Sequence, residues 1–237
     1  MRTAAIIPAA GRGERLGPGI PKALRVLGGA PLLVHAIRAV DQARSVDLVV
    51  VAAPPDDVTA VERLLADYEW GSDVHVVPGG QDRHASVARA LATLPADVDV
   101  VLVHDAARPL APPELVDAVA MTIRHGADAC VPVVPLADTV KVVAGDKVVR
   151  TLDRSELRAV QTPQGFRRAA LATAHAWAAG LPVDELSVIT DDAGLVECHG
   201  VSVVAIPGAE EAFKVTRPLD LLVAEALLTR RRAASGR

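Results

Sequence analysis

Apolar and polar positions along this chain are grouped in blocks rather than alternating residue by residue. Short apolar runs at 3–8 and 48–53 predict buried strands, and largely apolar runs at 74–78, 98–104 and 129–134 predict three more. Between them, apolar residues spaced three and four apart predict helices over 31–43, 56–65, 83–94 and 112–125. In the first helix the spacing is carried by Leu33, Ile37 and Val40, and Pro31 suits the opening turn. In the third, Val87 and Leu91 share a face. This βαβα order predicts an α/β fold, Rossmann-like and doubly wound, with a mostly parallel sheet covered by helices on both sides.

The pattern breaks after Pro135. Residues 139–143 and 148–152 are β-rich and separated by Ala144-Gly145-Asp146-Lys147, which predicts a hairpin foreign to a doubly wound core. Helices are expected again over 168–179 and 191–197, then a strand over 201–206 and a closing helix over 218–231. No repeat and no linker interrupts the 237 residues, so they read as a single domain with an inserted arm at about 136–156. The basic tail at 230–237 is expected to fray.

Composition removes several classes of function. Aromatics are 2% of the chain, so the core is aliphatic and platforms for stacking single-stranded bases are lacking. A net charge of −4 is the wrong sign for a duplex-binding surface. The two cysteines, Cys130 and Cys198, form no C-x-x-C pair, which argues against a thiolate zinc site or a disulfide scaffold and for a reducing compartment. No apolar run approaches the ~18 residues of a membrane helix, and the apolar start at 4–10 is too short for a secretory leader. The expectation is a cytoplasmic protein with small-molecule ligands and neither nucleic-acid nor membrane partners.

The strongest chemical signal is the loop after the first strand. It holds four glycines in nine residues from Gly11 to Gly19, then Pro21-Lys22. Glycines let backbone N–H groups approach a phosphate, and Arg12, Arg15 and Lys22 add local positive charge. The dinucleotide fingerprint fails because Leu16 stands at the third glycine position, and the P-loop fails because Lys22 is followed by Ala23. A long flap over a nucleoside triphosphate fits better. Two further polar loops lie at the same expected sheet edge. His104-Asp105-Ala106-Ala107-Arg108-Pro109 offers a carboxylate and a guanidinium suited to a bidentate phosphate clamp. Gly79-Gly80-Gln81-Asp82-Arg83 opens a helix, with Asp82 a natural N-cap.

These loops, with Gln161-Thr162-Pro163-Gln164, Thr190-Asp191-Asp192 and Lys214-Val215-Thr216-Arg217-Pro218, stand in one order. In that order the chain resembles the 2-C-methyl-D-erythritol 4-phosphate cytidylyltransferase family over about residues 3–228. The resemblance implies transfer of CMP from CTP to methylerythritol phosphate, with release of pyrophosphate, in isoprenoid precursor synthesis. It implies Arg15, Lys22, Arg154 and Lys214 as catalytic residues, with Arg15 and Lys22 stabilising charge at the α-phosphorus. It places Pro8, Ala9, Ala10, Gly11, Gly13, Gly80, Gln81 and Ser86 around CTP, and Asp105, Ala106, Arg108, Thr139, Thr162 and Thr190 around the acceptor. It further implies Mg²⁺ held mainly by the CTP phosphates, and a homodimer whose arm carries Thr139 and Arg154 into the neighbouring site. A ribitol 5-phosphate cytidylyltransferase would share the phosphate side of such a site. A nicotinamide oxidoreductase is disfavoured by Leu16 and the loop prolines, and a non-catalytic nucleotide sensor has no need of both Arg15 and Lys22.

Overall fold

The computed structural model describes residues 1–11 and 21–235. In chain order it has β1 (Arg2–Pro8), a small ribbon of β2 (Val26–Leu27) and β3 (Ala30–Pro31), α1 (Leu32–Asp41), β4 (Leu48–Ala53), α2 (Val58–Ala66), β5 (Asp73–Pro78), α3 (Arg83–Thr93), β6 (Val98–Val103), α4 (Pro113–Arg124) and β7 (Ala129–Pro135). The arm hairpin follows as β8 (Lys141–Ala144) and β9 (Lys147–Thr151). The chain then forms β10 (Arg158–Val160), β11 (Gln164–Arg167), α5 (Arg168–Ala178), α6 (Val183–Val188), α7 (Asp192–Cys198), β12 (Val203–Pro207) and α8 (Pro218–Ser235).

β1 lies centrally, pairing in parallel with β4 on one edge and β6 on the other, and β5 extends the sheet beyond β4. The apolar run of β1 divides by parity. Ala5 and Ile7 join one core with Leu33 and Ile37 of α1 and Val119 and Ile123 of α4. Ala4 and Ile6 join the other with Val87 and Leu91 of α3 and Leu171 of α5. A strand buried on both faces has no polar side to show, which is why its sequence is continuously apolar.

The sheet is mixed at its other end. β11 runs antiparallel between β6 and β7, an element the polar island around Thr162 does not advertise. Cys130 of β7 pairs with Gly165 of β11 on one edge and with Val204 of β12 on the other. Gly165 is required there, since a Cβ would come within 2.5 Å of Val119 on α4.

The hairpin expected after Pro135 is present. β8 and β9 pair antiparallel, and the turn residue Gly145 takes a φ of +60°, in the left-handed region that glycine adopts without strain. Val143, Val148 and Val149 are each about 60% exposed, so the arm has little core of its own. α8 runs to Ser235, and its last turns are tied down where Arg230 and Arg231 pair with Glu211 and Arg232 donates to the Gly28 carbonyl.

Candidate active site

The chain leaves β1 towards β4 and β5, then crosses by α3 to β6 on the opposite side. The strand order therefore reverses beside β1, and the loops at the carboxyl ends of β1 and β6 diverge to leave a crevice. A cavity of about 270 Å³ opens there. Pro8, Ala9, Ala10 and Gly11 line it from the first loop, Gly80, Gln81 and Ser86 from the β5–α3 segment, and Asp105 and Ala106 from the loop after β6. Lys22 and Lys214 also line it.

The β5–α3 segment is built for close backbone approach. Asp82 caps α3 by accepting from Ala85 N at 2.7 Å, as its residue type predicts. The Ser86 hydroxyl accepts from Gly80 N at 3.0 Å and donates to the Asp82 carbonyl at 2.7 Å. Ser86 thus shapes the loop, with its hydroxyl spent inside it. A Cβ on Gly80 would lie 2.3 Å from Ala85 Cβ, so this turn is too tight for a side chain.

At the floor of the cavity Asp105 is ringed by cations. Lys214 Nζ is 2.6 Å from Oδ2, Arg83 Nε 3.5 Å from Oδ1, and Arg108 Nε 4.0 Å from Oδ2. Burial alone would raise this carboxyl's pKa, but Arg83 and Lys214 outweigh it and hold the group well below the usual carboxylate range. Lys214 is placed by its own motif. Val215 is buried and donates to the Ala107 carbonyl at 2.8 Å, while Thr216 and Arg217 are gathered by Asp220 at the start of α8.

A second cavity of about 330 Å³ shares Arg83, Asp105 and Lys214 with the first and continues to Arg108, Thr162, Thr190 and Asp191. The Thr162 hydroxyl accepts from Asp105 N at 3.0 Å and donates to His104 Nδ1 at 3.1 Å. The other ring nitrogen of His104 then donates to the Arg108 carbonyl at 3.1 Å. Burial lowers the His104 pKa to about 4, which keeps it in this neutral state. Arg108 lines this second cavity, and one N–H of each Nη donates to a carbonyl, of Ala212 at 2.7 Å and of Val160 at 3.1 Å, which leaves a second N–H on each nitrogen. Its Nε is buried without a hydrogen-bond partner.

The predicted residues flanking β1, β5 and β6, together with Lys22, Thr162, Thr190 and Lys214, converge on these two cavities. Gly13 and Arg15 lie outside the described residues. Thr139 and Arg154 lie elsewhere: Thr139 is exposed just before β8, and Arg154 donates to the Ala137 carbonyl at the base of the arm. The sequence reading missed Arg83 and the buried Asp192 and His175 behind it. Arg83 stands in the Gly79-Gly80-Gln81-Asp82-Arg83 loop and Asp192 in the Thr190-Asp191-Asp192 run, but nothing local marks them as partners. Among the described residues, no group of three or more His, Cys, Asp or Glu side chains could hold a metal ion.

The family model described as IspD, 2-C-methyl-D-erythritol 4-phosphate cytidylyltransferase, matches residues 3–230. The chain belongs to this family. A cytidylyltransferase of that name from Frankia casuarinae is 60% identical over 97% of this chain and 82% of its own length. One from Streptomyces coelicolor is 56% identical over 99% of this chain and 88% of its own length. The crystal structure of the Thermus thermophilus cytidylyltransferase aligns with a TM-score of 0.75 at 38% identity, covering 97% of this chain and 100% of that one. The cytidylyltransferase fold thus extends over nearly the whole chain, arm and closing helix included.

Proposed function

We infer that the first cavity takes CTP and the second takes 2-C-methyl-D-erythritol 4-phosphate, with the cytidylyl group passing between them where the cavities meet. The reaction is that of the family, CMP transfer with pyrophosphate release in isoprenoid precursor synthesis. An oxygen of the acceptor phosphate forms a bond to the α-phosphorus of CTP. The bond from that phosphorus to the bridging oxygen breaks, and pyrophosphate leaves with the electron pair. The acceptor phosphate is anionic at neutral pH, so no general base has to remove a proton. The work left for the protein is positioning and charge stabilisation.

Arg15 and Lys22 are assigned to the charge that builds on the α-phosphoryl group. Pro8, Ala9, Ala10, Gly80 and Gln81 hold the cytidine largely through backbone groups, with Ser86 keeping the loop in shape. Asp105, Ala106, Arg108, Thr162, Thr190 and Lys214 are assigned to the acceptor. The carboxylates lining the first cavity are Asp82, engaged as a helix cap, and Asp105, engaged by Lys214. That donor set fits Mg²⁺ carried mainly by phosphate oxygens with much of its water retained, supplying charge neutralisation when bound. Thr139 and Arg154 are assigned to the neighbouring site of a homodimer, and the exposed valines of the arm suit burial against a second copy. Two free cysteines suit a reducing cytoplasm.

The observation that carries this reading is the sharing of Arg83, Asp105 and Lys214 by two abutting cavities at the switch point. The test is pyrophosphate release from CTP with each acceptor. Methylerythritol phosphate should support turnover far better than ribitol 5-phosphate, and equal rates would reject the acceptor assignment.

A further inference from the structure

Behind the site runs a chain of alternating charge. Lys214 Nζ sits 2.6 Å from Asp105 Oδ2, and Arg83 Nε sits 3.5 Å from Asp105 Oδ1. Arg83 Nη1 lies 2.5 Å from Asp192 Oδ2, and His175 Nε2 lies 2.9 Å from Asp192 Oδ1. Asp192 is wholly buried, and its two oxygens are taken from opposite sides. Arg83 is therefore stretched between two carboxylates on different elements. Among the described residues its Nη2 has no hydrogen-bond partner, and Arg83 lines both cavities.

A guanidinium beside a lone carboxylate prefers the bidentate fork, with two parallel N–H bonds. Asp105 would offer that fork if Asp192 were absent. Arg83 would then compete for the Asp105 oxygen that Lys214 now holds, and both cations would turn away from the cavity junction. We propose that Arg83 is a positioning residue for the transfer, held off a bidentate clamp on Asp105 by the buried Asp192–His175 pair, so that Asp105 keeps Lys214 and Nη2 stays available to the anionic acceptor. The role needs the geometry of the fork as well as its charge, since Nε and Nη1 reach two separate carboxylates while Nη2 stays unspent. A lysine has one nitrogen and cannot do this.

The proposal rests on the assignment of the acceptor to the second cavity, so the test includes a control for that assignment. Steady-state kinetics in methylerythritol phosphate at saturating CTP, with separate titration of CTP–Mg²⁺ binding, would be measured for Arg83→Lys, Asp192→Asn and Lys214→Ala. Arg83→Lys should lower kcat/KM for the acceptor on the order of 10²-fold, the scale of a positioning error. CTP affinity should fall far less, since Arg83 only borders the first cavity, a split that general damage to the fold would not produce. Asp192→Asn keeps an acceptor for His175 but not the charge that anchors Arg83, and should reproduce the split. Asp192→Asn at a wholly buried position can cost folding, in which case Arg83→Lys, at a partly exposed side chain, decides alone. Wild-type acceptor kinetics in Arg83→Lys, or equal losses for CTP and acceptor, would overturn the proposal. Should Lys214→Ala leave the acceptor KM unchanged, the placement of the acceptor fails first, whatever Arg83 does.

Discussion

Lys214 holds the Asp105 carboxylate at 2.6 Å, joining the segment before the closing helix to the loop after β6. Asp105 is nearly buried and its other oxygen faces Arg83, so the pair is fixed from both sides. Neutralising one member leaves the other's charge uncompensated in a site that must also receive anions.

Asp105→Asn should therefore lower kcat/KM for the acceptor on the order of 10²-fold, as expected when a fixed charge is lost beside reacting groups. The double variant Asp105→Asn, Lys214→Ala should lose much less than the product of the two single losses, because residues in direct contact are coupled. A double-mutant cycle of kcat/KM checks this, and losses that multiply independently would show that the two side chains act separately.

The loop before α3 makes a separate prediction for the nucleotide. Gly80→Ala would drive a Cβ to 2.3 Å from Ala85 Cβ and 2.7 Å from its carbonyl carbon, and backbone cannot yield as a flexible side chain does. Ser86→Ala removes both hydrogen bonds that hold Gly80 to Asp82. Both variants should raise KM for CTP while leaving the acceptor KM close to wild type. Ser86→Ala should also cost about 0.5–1.5 kcal/mol of stability, the net range for a typical hydrogen bond whose freed partner is not fully buried. Steady-state titration of each substrate with urea unfolding separates the effects, and an unchanged KM for CTP in Gly80→Ala would remove this loop from the nucleotide site.

Much of this was legible in the chain because its signals are local. A doubly buried strand is an apolar run, an N-cap is one residue type at one position, and the glycine loop states its own backbone requirement. Val215 illustrates the limit: its place in the motif was visible, but its bond to Ala107, which aims Lys214, was not. The Arg83–Asp192 pair spans 109 positions and depends on α3 and α7 arriving together, which no local spacing encodes. β11 was hidden because a short strand containing a glycine and flanked by a proline has the composition of a turn. The anchoring of Arg108 was hidden for a similar reason, since the carbonyls that hold it come from distant segments.

The buried titratable groups give the protein an acid limit in two steps. His104 has its pKa lowered from 6.5 to about 4 by burial, so the unfolded chain binds a proton that the folded chain refuses. Its contribution is intact above about 6.5 and is lost as pH falls from there towards 4. Integrated over that window it amounts to at most about 3 kcal/mol. Asp105 and Asp192 have lowered pKa values, burial being outweighed by Arg83 and their other partners. Their contribution is present above the ordinary value of 3.8 and is lost as pH falls below it. Unfolding free energy measured in urea should decline gently between pH 6.5 and 4, then more steeply below. His104→Asn should lessen the first decline, to which His35, also lowered by burial, contributes, and leave the second; an unaltered slope in that variant would remove His104 from the account.

The arm supplies the sharpest test of the assembly. Within one chain Arg154 sits at the base of the hairpin, bonded to the Ala137 carbonyl and beside Asp153 and Arg158, while Lys22 lines the crevice beside β1. If Arg154 serves the neighbouring subunit, Lys22→Ala and Arg154→Ala homodimers should each be nearly inactive, with the loss of one such stabiliser costing on the order of 10²–10³ in kcat. In a mixed dimer one site collects both defects, whereas the other receives an intact Lys22 from one chain and an intact Arg154 from its partner. Random pairing makes half of the dimers mixed, each with one good site of two, so refolding an equimolar mixture should restore roughly a quarter of wild-type activity in a C₂ dimer. Native mass spectrometry establishes that heterodimers form, and the assay is run beside each variant refolded alone. A mixture that contains heterodimers yet stays as inactive as its components would show that Arg154 acts only within its own chain.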